Sequence, residues 1–209
     1  MTIAVLSNEE LKQEWAGAGS IREADIEWIT EVNNLPAAPD VLIDLLFYTD
    51  REKRKQALRS YQTGLVIVSD ITGTTQDLPA NFIRINGWPG FLGRPVTEAS
   101  SQTNSLRQKT EQVLQAFNRK TEWVPDIPGF ITSRIVSSII NEAFFAIEAG
   151  ISTRDEIDIA MKLGTNYPYG PFEWCTMIGA KNVCSLLDVM GNENTRYAAC
   201  ELLKKEGSS

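Results

Sequence analysis

The 209-residue sequence contains no histidine, and this limits the chemistry that the protein could perform. Histidine is the usual general base near neutral pH, the commonest metal ligand and the base of Ser–His and Cys–His nucleophile pairs. Any catalysis must therefore use carboxylates, lysine, tyrosine, hydroxyl groups or a cofactor. The three cysteines, Cys175, Cys184 and Cys200, have no Cys-x-x-Cys spacing, which is typical of reduced thiols in a cytosolic protein and predicts no metal site.

Polar side chains also stand at the start of the most regular helical pattern in the chain. Residues 126–134 read DIPGFITSR, so a Pro-Gly turn and two hydroxyl groups precede Arg134. A structural interpretation is sufficient here. Pro128-Gly129 would end the preceding strand, Thr132 or Ser133 would satisfy the first helical amides, and Arg134 would be solvated.

The first part of the chain alternates strand-like and helix-like segments. Such alternation predicts a parallel sheet with crossover helices. The strands are predicted over residues 2–6, 25–32, 41–47, 64–69, 82–85 and 120–125, with helices over 8–15, 51–61 and 105–118 and a loop over 87–95. The near-continuous apolar run at 41–47 is typical of a strand buried on both faces.

From Gly129 onward the pattern is helical throughout. Eight apolar residues at helical spacing predict one long helix that ends at Gly150: Ile131, Ile135, Val136, Ile139, Ile140, Ala143, Phe144 and Ile147. A capping box at Thr153 and Glu156 begins a second helix that ends at Gly164. A third is predicted from about Glu173 to Met190, and a last one from Asn192 or Asn194 to Lys205. We predict two domains, residues 1–124 and 125–209.

The overall charge argues against nucleic acid as a partner. A net charge of -7 disfavours a nucleic-acid surface, which needs clustered lysine and arginine. The basic cluster at residues 51–55 is interrupted by Glu52 and favours a solvated helix face. No apolar run is long enough for a membrane span and no secretory leader is recognisable, so a cytoplasmic location is expected.

The second domain resembles the helical domain of the 3-hydroxyacyl-CoA dehydrogenase family. That domain opens with D-x-P-G-F-[IV]-x-N-R and continues through N-E-A, a glutamate-glycine turn, I-D-x-A-M, L-G and P-x-G-P-F. The corresponding residues here are Asp126 and Pro128–Ile131, Arg134, Asn141–Ala143, Glu148–Gly150, Ile157–Met161, Leu163–Gly164, and Pro168–Phe172. So many matches in one order make the resemblance specific.

The resemblance implies an architecture and a set of site residues. It implies an α/β Rossmann-like domain, reduced in size, followed by an all-α domain that pairs two subunits and closes an acyl-CoA site. It also implies NAD as cofactor. By family position, Thr72 matches a serine that contacts substrate and Ser133 an asparagine that holds the substrate carbonyl, while Glu98 matches a glutamate that orients the catalytic histidine.

Two departures from the family pattern bear on activity. The family's histidine position falls on Pro89, in the segment GWPGFLG, and proline cannot take a proton. The glycine-rich turn that admits the dinucleotide pyrophosphate is replaced by Ser7-Asn8-Glu9-Glu10, whose carboxylates would repel it. Glu98, if buried, could have its pKa raised toward neutrality and act as a base, although a lone loop glutamate is usually a solvated charge.

Three hypotheses about function follow. The protein is an impaired or inactive relative of the dehydrogenase that retains an acyl-CoA-type ligand site. Alternatively, it is an active NAD-dependent oxidoreductase with a base other than histidine. The third hypothesis is a structural or regulatory homodimer without a small ligand. An open polar surface near Thr72, Glu98 and Ser133 would favour a ligand, whereas filling by Trp88, Phe91 or Trp123 would favour a scaffold.

Overall fold

A computed structural model describes residues 1–17, 25–34, 39–61, 64–192 and 194–208, which divide into two units. The first unit spans Met1–Phe130 and the second Ile131–Ser209. The sequence prediction placed the boundary after residue 124. The intervening segment lies in the first unit, where the Gly129 amide donates to the Ile71 carbonyl over 2.7 Å.

A seven-stranded sheet forms the first unit. Its strands are β1 (Thr2–Leu6), β2 (Asp25–Ile29), β3 (Val41–Asp44), β4 (Leu65–Ser69), β5 (Phe82–Ile85), β6 (Val96–Ser100) and β7 (Lys120–Trp123). Its helices are α1 (Glu9–Ala16), α2 (Arg51–Leu58) and α3 (Arg107–Gln115). The predicted alternation of strands and helices is confirmed, and it produces a Rossmann-like α/β unit.

The strand order is β2-β1-β3-β4-β5-β6-β7. All pairs are parallel except β5 with β6, which run antiparallel with Ile85 opposite Ala99. Strands β3 and β4 are buried along their whole length, as their apolar runs predicted. Buried side chains form clusters on both faces of the sheet, which is the arrangement expected of parallel strands with helices on each side.

Strand β6 is absent from the sequence prediction, and the strand predicted over 41–47 is too long. Strand β3 ends at Asp44 because the Asp44 carboxylate accepts a hydrogen bond from the Leu46 amide over 2.9 Å and turns the chain. Strand β6 has only two apolar residues, Val96 and Ala99, so its hydrophobic signal is weak.

The second unit is helical, with α4 (Thr132–Glu148), α5 (Arg154–Thr165), α6 (Pro171–Ile178), α7 (Ala180–Gly191) and α8 (Glu201–Gly207). Gly150 has the predicted left-handed backbone, with φ +66°, and the capping box of Thr153 and Glu156 is present. The predicted third helix is two helices, since Gly179 has φ +89° and interrupts the helical path. The last helix begins at Glu201, later than predicted.

The apolar stripe of α4 divides between interior and surface. Val136, Ile140 and Phe144 are buried, whereas Ile131 is 50% exposed and Ile135 is 52% exposed. Outside α4, the exposed apolar residues of this unit include Ile159 and Leu163 of α5. The described helices include none that is long and apolar enough to cross a membrane.

Candidate functional site

The carboxyl ends of parallel strands are where open α/β sheets usually bind ligands. In the first unit this edge carries Ser7 and Asn8 after β1, Asp44 at the end of β3, Asp70 after β4 and Asn86 after β5. The loops that follow these strands contain Thr72 and Pro89, two of the family positions identified in the sequence. The side chains at this edge therefore decide what the first unit could bind.

The turn from β1 to α1 does not fit a dinucleotide pyrophosphate. Asn8 caps α1, with its side-chain oxygen accepting from the Leu11 amide over 2.9 Å. Glu9 and Glu10 occupy the first helical turn, where their charges already interact with the positive end of the helix dipole. A pyrophosphate there would meet two carboxylates and a filled cap in place of open glycine amides.

Asp44 is a buried carboxylate at the end of β3. It is fully buried and pairs with Arg54, whose Nη2 lies 3.1 Å from Oδ1. Burial raises the pKa of Asp44 to about 6, and the charge of Arg54 offsets only part of that effect. Oδ1 of this carboxylate is held by Arg54 and the Leu46 amide and supports the turn after β3, whereas Oδ2 is buried without a hydrogen-bond partner among the described residues.

The loop after β4 is held by an ion-pair network around Arg84. Arg84 is fully buried, and its Nε and Nη2 donate to the Asp70 carbonyl over 3.0 and 2.8 Å. Its Nη1 donates to Asp126 over 2.5 Å. Arg51 reaches the Asp70 carboxylate from α2, with Nε 3.0 Å from Oδ2. Burial raises the pKa of Asp70, while Arg84 and Arg51 act in the opposite direction.

Asp126, the first residue of the family's D-x-P-G-F segment, has a structural role in this network. Its Oδ2 accepts from the Thr75 amide over 2.8 Å and from the Thr75 hydroxyl over 2.6 Å. Burial alone would raise the pKa of Asp126. The hydrogen bonds from Thr75 and the charge of Arg84 together have the larger effect, so the pKa is lowered. Phe130 completes the segment, with its ring 4.7 Å from the Arg84 guanidinium.

Thr72 lies half-buried in the loop that this network fixes. Next to it, the Gly73 amide donates to Asp70 Oδ1 over 3.1 Å. A Cβ atom at Gly73 would lie 2.4 Å from Arg51 Nε and 2.6 Å from Asp70 Oδ2. The loop therefore needs glycine at this position, and its path around Thr72 is set by the charged side chains beneath it.

Glu98 lies on β6, half-buried, and not in a loop as the sequence interpretation had it. Its Oε2 accepts from Asn86 Nδ2 over 2.8 Å, and the Asn86 amide donates to the Glu98 carbonyl over 3.0 Å. Asn86 is 6% exposed and was missed in the sequence. The antiparallel register of β5 and β6 places it there, so the pair depends on a strand that the sequence prediction did not include.

The loop that contains Pro89 is hydrogen-bonded to helix α1 of the first unit. The Glu14 carboxylate of α1 accepts from the Gly90 amide over 3.1 Å and from the Gly93 amide over 3.0 Å. Two aromatic side chains of the loop are buried, with Trp88 1% and Phe91 3% exposed. The loop thus contributes apolar side chains to the interior.

Arg119 holds the end of the same loop. It is 3% exposed, and its Nη1 donates to the Arg94 carbonyl over 2.9 Å. Its Nη2 donates to the carbonyls of Trp15, over 3.1 Å, and Leu92. Burial lowers the pKa of Arg119 to about 10.

Ser133 belongs to the second unit, on the first turn of α4. Its side chain is fully buried, which differs from the polar surface that the family position led us to expect. The next residue, Arg134, is half-buried and not simply solvated, since its Nη1 donates to the Tyr197 hydroxyl over 3.2 Å. Arg134 therefore joins the start of α4 to another part of its own unit.

Two other motif residues of the second unit serve the fold. Asn141, of the N-E-A motif, donates to the Ala198 carbonyl over 2.9 Å and accepts from the Cys200 amide over 2.8 Å. Asp158, of the I-D-x-A-M motif, accepts from the amides of Phe172 (2.9 Å) and Glu173 (3.1 Å) at the start of α6. Both side chains are more than nine-tenths buried and join distant parts of the helical unit.

Comparisons with known proteins agree with these motifs. Residues 129–208 match the family model for the 3-hydroxyacyl-CoA dehydrogenase C-terminal domain. The chain is similar to 3-hydroxyadipyl-CoA dehydrogenase of Escherichia coli (strain K12), with 36% identity over 119 residues, 55% of this chain and 25% of that protein. The second unit therefore matches the C-terminal domain of 3-hydroxyacyl-CoA dehydrogenases, and the chain as a whole is similar to proteins of that family.

Other similar proteins extend the likeness to the first unit. 3-Hydroxybutyryl-CoA dehydrogenase of Bradyrhizobium diazoefficiens is 26% identical over 182 residues, which cover 79% of this chain and 62% of that protein. The chain thus spans only a quarter to three fifths of these two relatives. The chain is also similar in structure to the crystal structure of (S)-3-hydroxybutyryl-CoA dehydrogenase from Ralstonia eutropha, with a TM-score of 0.73 and 17% sequence identity. The superposition includes 98% of this chain and 92% of that chain, which indicates a shared fold.

Proposed function

We propose that this protein has lost 3-hydroxyacyl-CoA oxidoreductase activity. The observation that carries the proposal is the pair of Glu98 and Asn86. Glu98 matches the glutamate that orients the catalytic histidine in the family, but here it holds an amide. An amide does not accept a proton at neutral pH, and Pro89 in the histidine position cannot either. Loss of a positioned acid-base group alone typically lowers the rate by ~10²–10⁴-fold.

The cofactor argument points in the same direction. The family is NAD-dependent, but Asn8, Glu9 and Glu10 do not fit a pyrophosphate at the start of α1. We therefore propose that NAD is not bound in the family's usual way. Without a bound hydride acceptor, the second hypothesis, an active oxidoreductase with a base other than histidine, loses its support.

Between a retained acyl-CoA site and a scaffold, the buried aromatic side chains favour the scaffold. Trp88 and Phe91 fill the interior instead of lining an open surface, and the half-buried Trp123 donates from Nε1 to Glu111 over 2.7 Å. The proposed role is therefore that of a structural or regulatory protein. Acyl-CoA binding is the other outcome of the test below.

The test is NADH oxidation at 340 nm with acetoacetyl-CoA, with protein in excess so that a single turnover is visible. We expect no oxidation, no change in NADH fluorescence on mixing, and no rise in melting temperature with acetoacetyl-CoA. The matched variant is Glu98→Gln, which keeps the size of the side chain. Turnover by the wild type that disappears in Glu98→Gln would show that a carboxylate has replaced the histidine and would refute the proposal.

We also propose a homodimer through the helical unit. Ile131 just before α4 and Ile135 and Phe145 within it are 50%, 52% and 41% exposed, and exposed apolar side chains along a helix are typical of a contact surface. The substitution Ile135→Glu is expected to remove this association, because it would bury a carboxylate at the contact. The measurement is molar mass by light scattering. Lys181→Glu, at an exposed position of α7, serves as control, and an unchanged mass for Ile135→Glu would contradict the proposed surface.

A further inference from the structure

Strand β7 is at one end of the sheet and leaves a row of backbone groups directed outward. The Lys120 amide donates to the Pro95 carbonyl over 2.8 Å and the Val124 amide to the Ala99 carbonyl over 3.0 Å, both toward β6. Alternate residues of a strand direct their amide and carbonyl groups to opposite sides. The amides and carbonyls of Thr121 and Trp123 therefore point away from the sheet, where another strand could pair with them.

An open groove of about 610 Å³ runs beside this edge. It is lined by Glu111 and Gln115 of α3 and by residues 118–121. Within the part of the chain that the structure describes, the Thr121 hydroxyl has no hydrogen-bond partner, although it is enclosed. Because the oxygen is enclosed, the side chain would have to turn about its Cα–Cβ bond to meet a neighbouring chain, and that movement would break no existing side-chain hydrogen bond.

The side chains of β7 are complementary to themselves. Lys120 and Glu122 are both exposed and lie on the same face of the strand, with Thr121 between them. If two copies of β7 pair antiparallel around a two-fold axis at Thr121, each Lys120 lies opposite Glu122 of the other copy. The two Thr121 residues then exchange backbone hydrogen bonds, and their hydroxyls become neighbours. Opposite charges and paired threonines both stabilise cross-strand neighbours.

The other end of the sheet provides a contrast. The exposed residues of β2 are Asp25 and Glu27, so the same pairing of two β2 strands would place like charges opposite each other. Like charges directly across a strand pair are destabilising. Self-pairing is therefore favoured at β7 and disfavoured at β2.

We propose that β7 is an interaction surface for a second copy of this chain, which joins two sheets across a two-fold axis at Thr121. This interface is separate from α4 and does not depend on the proposed function. A contact of one strand pair is small, and small interfaces are weak and transient. Association through β7 is therefore expected to depend on protein concentration and to weaken as salt screens Lys120 and Glu122.

Sedimentation velocity in the Ile135→Glu background isolates this interface from the one proposed for α4. The Ile135→Glu protein is expected to dimerise as its concentration rises. Adding Lys120→Glu or Glu122→Lys makes both cross-strand pairs repulsive, so the dissociation constant should rise by about tenfold or more. The double variant Lys120→Glu/Glu122→Lys restores the opposite charges and should restore the dimer. An equimolar mixture of the two single variants should form a heterodimer.

The matched control lies on the other edge strand. Asp25→Lys on β2 changes one exposed charge by the same amount and should leave association unchanged. Thr121→Pro removes an outward amide and should abolish the dimer, with circular dichroism showing that the variant is folded. The proposal is overturned if Ile135→Glu is monomeric at all concentrations, if the single charge variants associate as it does, or if the charge exchange fails to restore pairing.

Discussion

Replacing Arg84 with leucine is expected to lower the free energy of unfolding of the first unit by on the order of 3–5 kcal/mol, the usual cost of removing one member of a buried ion pair. Arg84 is fully buried and Asp70 is 1% exposed. Without the guanidinium, Oδ1 of Asp126 and the Asp70 carbonyl lose their donor, and the buried Asp70 carboxylate loses one of its two cationic neighbours. Denaturant unfolding followed by tryptophan fluorescence measures the change.

The control for Arg84→Leu is an exposed ion pair of the same unit. Lys12 lies 3.7 Å from Glu9, with side chains 40% and 68% exposed. Exposed pairs contribute ~0–1 kcal/mol, so Lys12→Met should change stability by less than about 1 kcal/mol. If Arg84→Leu cost no more than Lys12→Met, the network around Arg84 would not be what holds the loop after β4.

This network also marks the limit of what the sequence could predict. Strands such as β3 and β4 were predicted because both of their faces are buried, so their residues are apolar without interruption. Arg84 and Asp126 are 42 residues apart, and no periodic pattern connects them. The family motif includes Asp126, but only the fold shows that its partners are Thr75 and Arg84.

Strand β6 shows why the candidate site was predicted only in part. The segment Val96–Ser100 has few apolar residues, and its strand conformation depends on pairing with β5. Family position was sufficient to select Glu98. The contact with Asn86 follows from the register of two strands, which local sequence does not specify.

The helical unit was predicted more completely because helix signals are local. The capping box at Thr153 and the stop at Gly150 involve neighbouring residues, and both are present. Besides the start of the last helix, the error was at Gly179, where one glycine interrupts an otherwise regular apolar pattern. A glycine within a helical pattern is often tolerated, so the positive φ that separates α6 from α7 could not be predicted from its neighbours.

Gly170→Ala should be among the most harmful single-methyl additions in the helical unit. A Cβ atom at this position would lie 2.2 Å from Asp158 Oδ1 and 2.4 Å from Asp158 Cβ. The backbone φ of Gly170 is -77°, which suits any residue, so the effect is steric. To relieve the overlap, Asp158 would have to leave the amides of Phe172 and Glu173 at the start of α6. The combined cost of strain and lost hydrogen bonds is about 2–4 kcal/mol.

Gly164→Ala is the matched control for this prediction. Gly164 lies within α5, and an added Cβ would meet nothing within 4 Å. Alanine is the better helix former by ~0.5–1 kcal/mol, so this variant should be slightly more stable than the wild type. Thermal unfolding followed by circular dichroism compares the two. The same added methyl group is expected to lower stability at position 170 and to raise it at position 164. Equal changes in stability would refute a steric role for Gly170. The role predicted for Gly170 is to leave room for the side chain of Asp158. The P-x-G-P-F and I-D-x-A-M motifs, which contain these two residues, are therefore explained by the packing of the helices. Their presence in the sequence is compatible with loss of the reaction.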